Sequence, residues 1–129
     1  MQALAGLQTW AEDTNRAGGV KVGHSDAGRL ISIVYYDDAS KTAQARQTTE
    51  RLITSDRVDL LFGPYSGVLA LASVQVAEGH GKLLWNQGGA ADDIYQQGYN
   101  WVVGILTPAG SYLDSLLRWC VKPIPNSPG

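Results

Sequence analysis

Three short segments contain the residue types that can bind a small molecule. They are residues 37–40 (Asp-Asp-Ala-Ser), 63–67 (Gly-Pro-Tyr-Ser-Gly) and 86–90 (Asn-Gln-Gly-Gly-Ala). Each follows a short apolar run that is typical of a strand in an α/β sheet. In such sheets, ligands bind beyond the carboxyl ends of the strands. The sequence therefore predicts that these segments lie at one end of a sheet, where a ligand site is expected.

Residues 63–67 are the most informative of the three. Ser66 is a predicted N-cap for the helix that follows, and Gly67 lets backbone N–H groups come close to a ligand. A helix N-terminus carries unpaired N–H donors and a partial positive charge, so that an anion such as a carboxylate fits there. Tyr65 could add a hydroxyl group or an aromatic wall. The alternative, that Ser66 only caps its helix, stays open because such caps are common.

Residues 86–90 offer a second set of backbone donors. The turn at Gly88, Gly89 and Ala90 could present N–H groups to a ligand, and Trp85 stands directly before this segment, beside the expected crevice. The alternative is that the glycines only make a tight exit from the strand. The other tryptophans, Trp10, Trp101 and Trp119, are predicted to anchor a core or an interface.

The acidic pair Asp37 and Asp38 suggests two kinds of site. One is a metal or phosphoacceptor pocket, as in response-regulator receivers. That class also needs a carboxylate and a lysine at later strand ends, but Asp59 stands at the start of its strand and no lysine ends a later one. We therefore favour a loop and helix-start role, because carboxylates stabilise helix N-termini. The phosphoacceptor domain is kept as the less favoured alternative.

The sequence predicts neither catalysis nor a bound metal or cofactor. The nucleophile elbow of hydrolases is G-x-S-x-G, and Ser66 stands one position too late for it. His80 follows in sequence, but nothing positions it as a base for Ser66. Because His24 and His80 have no partners at metal-ligand spacing, no metal site is expected. The common nucleotide-binding fingerprints are absent from the sequence.

Composition restricts the class of protein further. A chain of 129 residues is about one domain, and its net charge of −2 gives no basic surface for nucleic acid. Cys120 is the single cysteine, which excludes an intramolecular disulfide. No apolar run approaches the roughly 20 residues that span a bilayer. Residues 1–14 contain no Lys or Arg and no cleavage signature, so we recognise no signal peptide there.

Hydrophobic periodicity predicts an α/β fold of three layers, with helices on both faces of a mainly parallel sheet. The predicted helices cover Leu4 to Ala11 (ended by Gly18 and Gly19), 42–55, 66–79, 91–97 and 111–121, and the predicted strands cover 30–36, 58–62, 82–85 and 101–105. Residues 21–29 are predicted to be a glycine-containing loop or a poorly paired turn. We expect one domain over residues 1–121 and a frayed, proline-rich tail over residues 122–129. A leading helix with no strand before it is unusual for this architecture.

Several segments together resemble a known family. They are residues 10–19 (WAEDTNRAGG), 35–40 (YYDDAS), 52–66 (LITSDRVDLLFGPYS), 76–81 (VAEGHG), 88–94 (GGAADDI) and 108–112 (PAGSY). In this order and spacing, over roughly residues 4–117, they resemble the amino-terminal lobe of type I periplasmic solute-binding proteins of ABC transporters, in the branched-chain amino-acid class.

The resemblance implies a two-lobed receptor, periplasmic or extracellular, that captures a solute and delivers it to a membrane permease. In that family, the loops matching residues 65–67 and 88–90 hold the carboxylate and amino group of the ligand. Tyr65, Ser66, Gly67, Trp85, Gly88, Gly89 and Ala90 are therefore the expected ligand-binding residues. Several members have Ser at the position of Gly67 and Thr at that of Ala90. Without these hydroxyl groups, a small carboxylate, aromatic ones included, is a better expectation than a specific α-amino acid.

The family also begins with a strand before the position of the first helix here and continues into a second lobe. The resemblance thus implies a truncated lobe that lacks its first strand, with one side of the sheet unpaired. Such edges tend to pair with another copy, so we expect a homodimer or a higher oligomer. An oligomerising half-lobe that binds no ligand strongly is the alternative to a solute-binding module.

Overall fold

A computed structural model describes residues 2–24 and 27–121 of the chain. The chain divides into two units, residues 1–35 and 36–129. The predicted tail at residues 122–129 lies outside the described residues. That residues 1–121 form one domain therefore stays a prediction.

The first unit consists of a helix and a short hairpin. Helix α1 (Gln2–Arg16) ends as predicted at Gly18 and Gly19, which have φ of 103° and 87°. Strand β1 (Val20–Lys21) pairs antiparallel with β2 (Gly28–Arg29). This short pairing agrees with the second alternative for residues 21–29, a poorly paired turn, and not with an unpaired loop. Glycines allow this pairing, because a Cβ at Gly19 or Gly28 would overlap backbone atoms of Arg29 or Gly18.

The strand predicted over residues 30–36 does not pair with any other strand in the described part of the chain. Its backbone is instead contacted by a side chain: the amide of Asn15 bonds both the N–H and the C=O of Ile31. The prediction is wrong about sheet membership for a physical reason. A β-branched, apolar pattern reports the propensity of one segment, whereas a strand in a sheet also requires a partner.

The second unit has the predicted alternation of strands and helices. Its elements are α2 (Thr42–Thr54), β3 (Leu61–Phe62), α3 (Gly67–Gly79), β4 (Leu84–Asn86), α4 (Asp93–Gln96), β5 (Val102–Gly104), a 3₁₀ turn (Ala109–Ser111) and α5 (Asp114–Val121). The sheet has the order β3-β4-β5, and both pairings are parallel. The α/β fold class is thus confirmed. The strands are shorter than predicted, and the predicted last helix is divided into the 3₁₀ turn and α5.

The core of this unit lies between the sheet and helix α3. Its fully buried members are Leu61, Ala70, Val74, Ala77, Leu84 and Ile94. Helix α2 packs against α3 through the predicted face, in which Ala45 and Thr49 are buried and Leu52 and Ile53 border the core. The hydroxyl groups of Thr49 and Ser73 are 3.0 Å apart and link the two helices.

The tryptophans do not belong to this core. Trp10, Trp101 and Trp119 are 50%, 46% and 74% exposed, so the first alternative, that they anchor a core, is wrong. That they anchor an interface stays a prediction. The buried positions of this core are occupied by aliphatic residues, and Ala70 and Ala77 of α3 are among them. None of the described helices is long and apolar enough to cross a membrane.

Candidate functional site

Two of the three predicted binding segments lie side by side at the carboxyl ends of β3 and β4. The parallel register puts Phe62 beside Trp85, and the Gly63 N–H donates to the Trp85 carbonyl over 2.8 Å. The Gln87 side-chain amide then donates to the Gly63 carbonyl over 3.2 Å. The two segments therefore leave the sheet together at one end, as predicted for them.

Tyr65 and Gly88 form the closest contact between these segments. A Cβ on Gly88 would lie 2.8 Å from Cδ2 of Tyr65 and 3.0 Å from its Cα, so only a glycine fits there. Gly88 is buried under Tyr65, whereas Tyr65 itself is 81% exposed. The phenol ring is therefore available to a molecule that approaches from solvent.

The N-terminus of α3 has open hydrogen-bond donors. Ser66 occupies the N-cap position, as predicted, but its hydroxyl makes no capping bond. The first bond of the helix runs from the Ala70 N–H to the Ser66 carbonyl over 2.8 Å. Within residues 2–24 and 27–121, the N–H groups of Gly67, Val68 and Leu69 have no acceptor, as is usual for the first turn of a helix.

Backbone geometry at Ser66 is also unusual. Its φ of 155° and ψ of 138° are a combination that residues with a Cβ seldom adopt. The turn brings the start of α3 against the second loop, because a Cβ on Gly67 would lie 2.7 Å from the Cβ of Ala91. The helix N-terminus and the loop after β4 are therefore in direct contact.

Asn86 holds the second loop together; it belongs to the predicted segment 86–90 but not to the expected ligand-binding residues. It is fully buried, its Oδ1 accepts the Gly89 N–H over 2.8 Å, and its Nδ2 donates to the Gly89 carbonyl over 2.6 Å. The same Nδ2 donates to the Tyr95 hydroxyl over 2.8 Å. Asparagine and glycine are both residues that favour turns, and Asn86 stands two positions before the pair Gly88 and Gly89. It could therefore have been found from the sequence.

The glycines of this loop are positions of close packing. A Cβ on Gly89 would overlap the Cβ of Ala70, and both Gly88 and Gly89 are buried. The Gly89 N–H is already bonded to Asn86. The Ala90 carbonyl accepts the Ala109 N–H over 2.8 Å, which joins the loop to the 3₁₀ turn. A ligand-binding role for Gly88, Gly89 and Ala90 stays a prediction.

Trp85 projects from the opposite face of β4 to Asn86, since successive side chains of a strand alternate. Its ring lies 5.9 Å from that of Phe62 at an interplanar angle of 51°, and both rings are partly exposed. The two rings form an aromatic surface on the sheet. Whether Trp85 also contacts a ligand stays a prediction.

The acidic pair forms turns. Asp37 accepts the Ala39 N–H and Asp38 accepts the Ser40 N–H, each over 2.8 Å through Oδ1. Ala39 and Ser40 have φ of 49° and 55°, and these bonds support that left-handed backbone. The favoured loop role therefore agrees with the geometry, although the N-cap of α2 is Lys41. The described residues contain no group of three His, Cys, Asp or Glu side chains that could hold a metal ion.

His80 lies at the C-terminal end of α3, whereas Ser66 lies at its start. Its Nε2 atom is 2.9 Å from Oε1 of Glu50, with which it forms an exposed pair. His24 is exposed in the first unit. His80 and Ser66 are therefore at opposite ends of the same helix.

Two titratable groups have displaced pKa values. The N–H groups of Asn100 and Trp101 bond the Glu78 carboxylate and hold its pKa below the ordinary glutamate range. The pKa of Tyr36 is raised, first by its 2.9 Å hydrogen bond to Asp56 and then by partial burial. Both groups serve the fold, because each joins two segments of the second unit.

Comparisons with known proteins identify relatives. A family model described as periplasmic binding protein matches residues 1–124. A Leu/Ile/Val-binding protein homolog 8 from Brucella abortus is 29% identical over 101 residues, which are 78% of this chain and 23% of that protein. This chain therefore spans about a quarter of the length of that relative.

Solved structures of other proteins have the same fold as this chain. A branched-chain amino acid transporter substrate-binding protein from Streptococcus pneumoniae, in complex with isoleucine, has a TM-score of 0.69 at 24% identity, over 86% of this chain and 32% of that one. An ABC transporter substrate-binding protein from Desulfitobacterium hafniense has a TM-score of 0.81 at 16% identity, over 92% of this chain and 34% of that one. These findings confirm the resemblance drawn from the sequence segments and the fold that it implied.

Proposed function

Because this chain belongs to the periplasmic binding protein family, we propose that it is part of the solute-binding component of an ABC transporter. Its ligand is an amino acid or a related small carboxylate, and the ligand carboxylate binds at the N-terminus of α3. The protein binds its solute without chemical conversion. It works in the periplasm or outside the cell and delivers the solute to a membrane permease.

The open donors at the start of α3 are the single observation that carries this proposal. The N–H groups of Gly67, Val68 and Leu69 find no acceptor among the described residues. The two oxygens of a carboxylate can accept several such bonds, and the helix dipole adds attraction for negative charge. Since the Ser66 hydroxyl is not used as a cap, it is free to donate to the same group.

The geometry also favours a particular ligand class. A hydroxyl-bearing side chain does not fit at position 67, because Ala91 lies against Gly67. The side chain of Ala90 has no hydroxyl group either. The Ala90 carbonyl is already bonded to Ala109. A ligand ammonium group would therefore find few acceptors, and carboxylates without an amino group should bind at least as well as amino acids. The exposed ring of Tyr65 offers a wall for an apolar or aromatic tail.

Calorimetric titration of the whole chain with matched ligands tests the proposal. Leucine, 4-methylpentanoate, benzoate and 3-methylbutylamine separate the roles of the carboxylate and the amino group. We expect 4-methylpentanoate and benzoate to bind and 3-methylbutylamine to give no heat of binding. The proposal is wrong if the amine binds as tightly as the carboxylates, or if a folded sample binds none of the four.

A further inference from the structure

The hydroxyl group of Tyr95 has a free hydrogen-bond donor. Its oxygen accepts a hydrogen bond from Nδ2 of Asn86 over 2.8 Å. A phenol can donate one bond as well as accept. Within residues 2–24 and 27–121, the proton of this hydroxyl has no acceptor. Tyr95 therefore keeps one donor unused, although its side chain is half-buried at the border of the core.

This hydroxyl lies at the carboxyl end of the sheet. Gly104 is the last residue of β5, and the parallel register puts it beside Asn86, the last residue of β4. A Cβ on Gly104 would overlap the Tyr95 hydroxyl, so the phenol lies directly on the backbone of that glycine. Ligands of open α/β sheets bind at this edge. The free donor is thus where a solute is expected.

Asn86 fixes the role of the Tyr95 oxygen. Its Oδ1 accepts the Gly89 N–H and its Nδ2 donates to the Gly89 carbonyl, so turning the amide over would break both bonds. The amide can therefore only donate to Tyr95, and the phenol proton must point elsewhere. A hydroxyl that accepts a bond is polarised and becomes a stronger donor. The protein thus prepares this O–H group for an acceptor from outside the described residues.

The Tyr95 hydroxyl and the N-terminus of α3 lie at the same edge of the sheet. Helix α3 follows β3, whereas Tyr95 lies on the end of β5, and β4 separates these two strands. Neighbouring strands are about 4.8 Å apart, so the two groups of donors are separated by roughly 10 Å. Each hydrogen bond spans about 2.8 Å. A ligand that bonds both therefore has two acceptor groups roughly 4–7 Å apart.

We propose that the Tyr95 hydroxyl donates to a second, distal carbonyl oxygen of the solute whose carboxylate binds at α3. This inference rests on the proposed function and narrows its ligand class to carboxylates with a distal ketone, amide or second carboxylate group. A distal alkyl group leaves the Tyr95 donor unpaired, and a distal ammonium group is itself a donor. Both are therefore bound less tightly.

A pair of isosteric ligands tests the inference on the unchanged chain. In 6-oxoheptanoate a ketone lies within the required range of the carboxylate, and in 6-methylhept-6-enoate a methylene group replaces the ketone oxygen. By titration calorimetry we expect 6-oxoheptanoate to bind at least about fivefold more tightly, because it alone accepts a bond from Tyr95. Without that bond, the ketone gains nothing over the more apolar alkene.

Variants show whether this preference comes from Tyr95. In Tyr95→Phe the preference should fall to about twofold or less, while the affinity for 6-methylhept-6-enoate stays the same. Tyr99→Phe is the matched control, because Tyr99 is another half-buried tyrosine at the border of the same core. The control should keep the full preference.

Carbon-13 labelling of tyrosine at Cζ reports on the hydroxyl itself. The resonance of Tyr95 is the one that disappears in Tyr95→Phe. We expect saturating 6-oxoheptanoate to shift it and 6-methylhept-6-enoate to leave it close to its position in the free chain. A Tyr95 resonance that responds equally to both ligands contradicts the bond.

The outcomes separate this inference from the solute site on which it rests. If the unchanged chain binds both ligands equally tightly, the distal bond is wrong and the carboxylate site stands. The same holds if the preference survives in Tyr95→Phe, or if Tyr99→Phe loses it equally. If a folded chain binds neither ligand, the proposed function fails and this inference fails with it.

Discussion

Asn86 bonds both backbone groups of Gly89, through Oδ1 to its N–H and through Nδ2 to its C=O. The side chain thereby closes the turn that lies against the N-terminus of α3. Asn86 is completely buried, so these bonds are shielded from solvent. The position of the second loop of the proposed site therefore depends on one side chain.

Removing this amide should destabilise the fold. We expect Asn86→Ala to lower the free energy of unfolding by about 2 kcal/mol, because buried groups of Gly89 and Tyr95 lose their partner. Urea denaturation measures the change. Asn100→Ala is the matched control, since the Asn100 side chain is exposed and makes only a 3.4 Å contact to Glu78. An Asn86→Ala variant as stable as the control would show that the turn does not need the amide.

Ser66→Ala should separate ligand binding from stability. The Ser66 hydroxyl makes no capping bond, so we expect its removal to change the free energy of unfolding by less than about 0.5 kcal/mol. Affinity for 4-methylpentanoate should fall by roughly fivefold or more, because one neutral donor to the carboxylate is lost. Titration calorimetry and urea denaturation measure the two effects.

Ser73→Ala provides the opposite case. Its hydroxyl is buried beside that of Thr49, so its removal should cost about 1 kcal/mol of stability without changing affinity. If both serine variants lost affinity equally, the effect of Ser66 would be a general effect on folding.

A side chain at Gly67 should be unfavourable in this chain. Gly67→Ser places a Cβ 2.7 Å from the Cβ of Ala91, and we expect a loss of about 1–3 kcal/mol from overpacking. Ala91→Gly should relieve that cost, so that the double variant is more stable than the sum of the two single changes predicts. Additive free energies would mean that Gly67 and Ala91 are not in contact.

Glu78 should make stability depend on pH in the acid range. Its pKa is held low by the N–H groups of Asn100 and Trp101, so the folded state favours the carboxylate. The stabilisation is present above the ordinary glutamate pKa of about 4.3, and it is lost as the pH falls through the lower pKa of the folded state. We expect Glu78→Gln to melt below the wild type at neutral pH and the gap to close in acid.

Glu12→Gln is the control for this titration, because the exposed Glu12 carboxylate accepts no hydrogen bond among the described residues. Thermal melts across the pH range measure both variants. A gap between Glu78→Gln and the wild type that is equally large in acid and at neutral pH would contradict the assignment.

Local sequence signals predicted much of this structure. The apolar pattern of residues 66–79 predicts α3, and two apolar runs followed by glycines predict β3 and β4 in a parallel sheet. Ser66 predicts where α3 starts. The hydrophobic pattern does not show which strand or side chain lies next to a given segment. Residues 30–36 have the propensity of a strand, but nothing local shows whether another strand lies beside them.

The same limit applies to the site. The sequence predicts a turn at Gly88 and Gly89, but their close contacts with Tyr65 and Ala70 depend on residues distant in sequence. No local pattern indicates the bonds of Asn15, because its partner, Ile31, is 16 positions away. Tertiary contacts of this kind become visible only once the chain is folded.

Amide chemical shifts test the central claim most directly. Nitrogen-15 correlation spectra of the whole chain, recorded while 4-methylpentanoate is added, report on each N–H group separately. We predict that the Gly67, Val68 and Leu69 resonances move together to lower field and saturate with one dissociation constant, because their N–H groups gain a charged acceptor. Saturable binding that leaves these three resonances in place and shifts others would contradict a carboxylate at the N-terminus of α3.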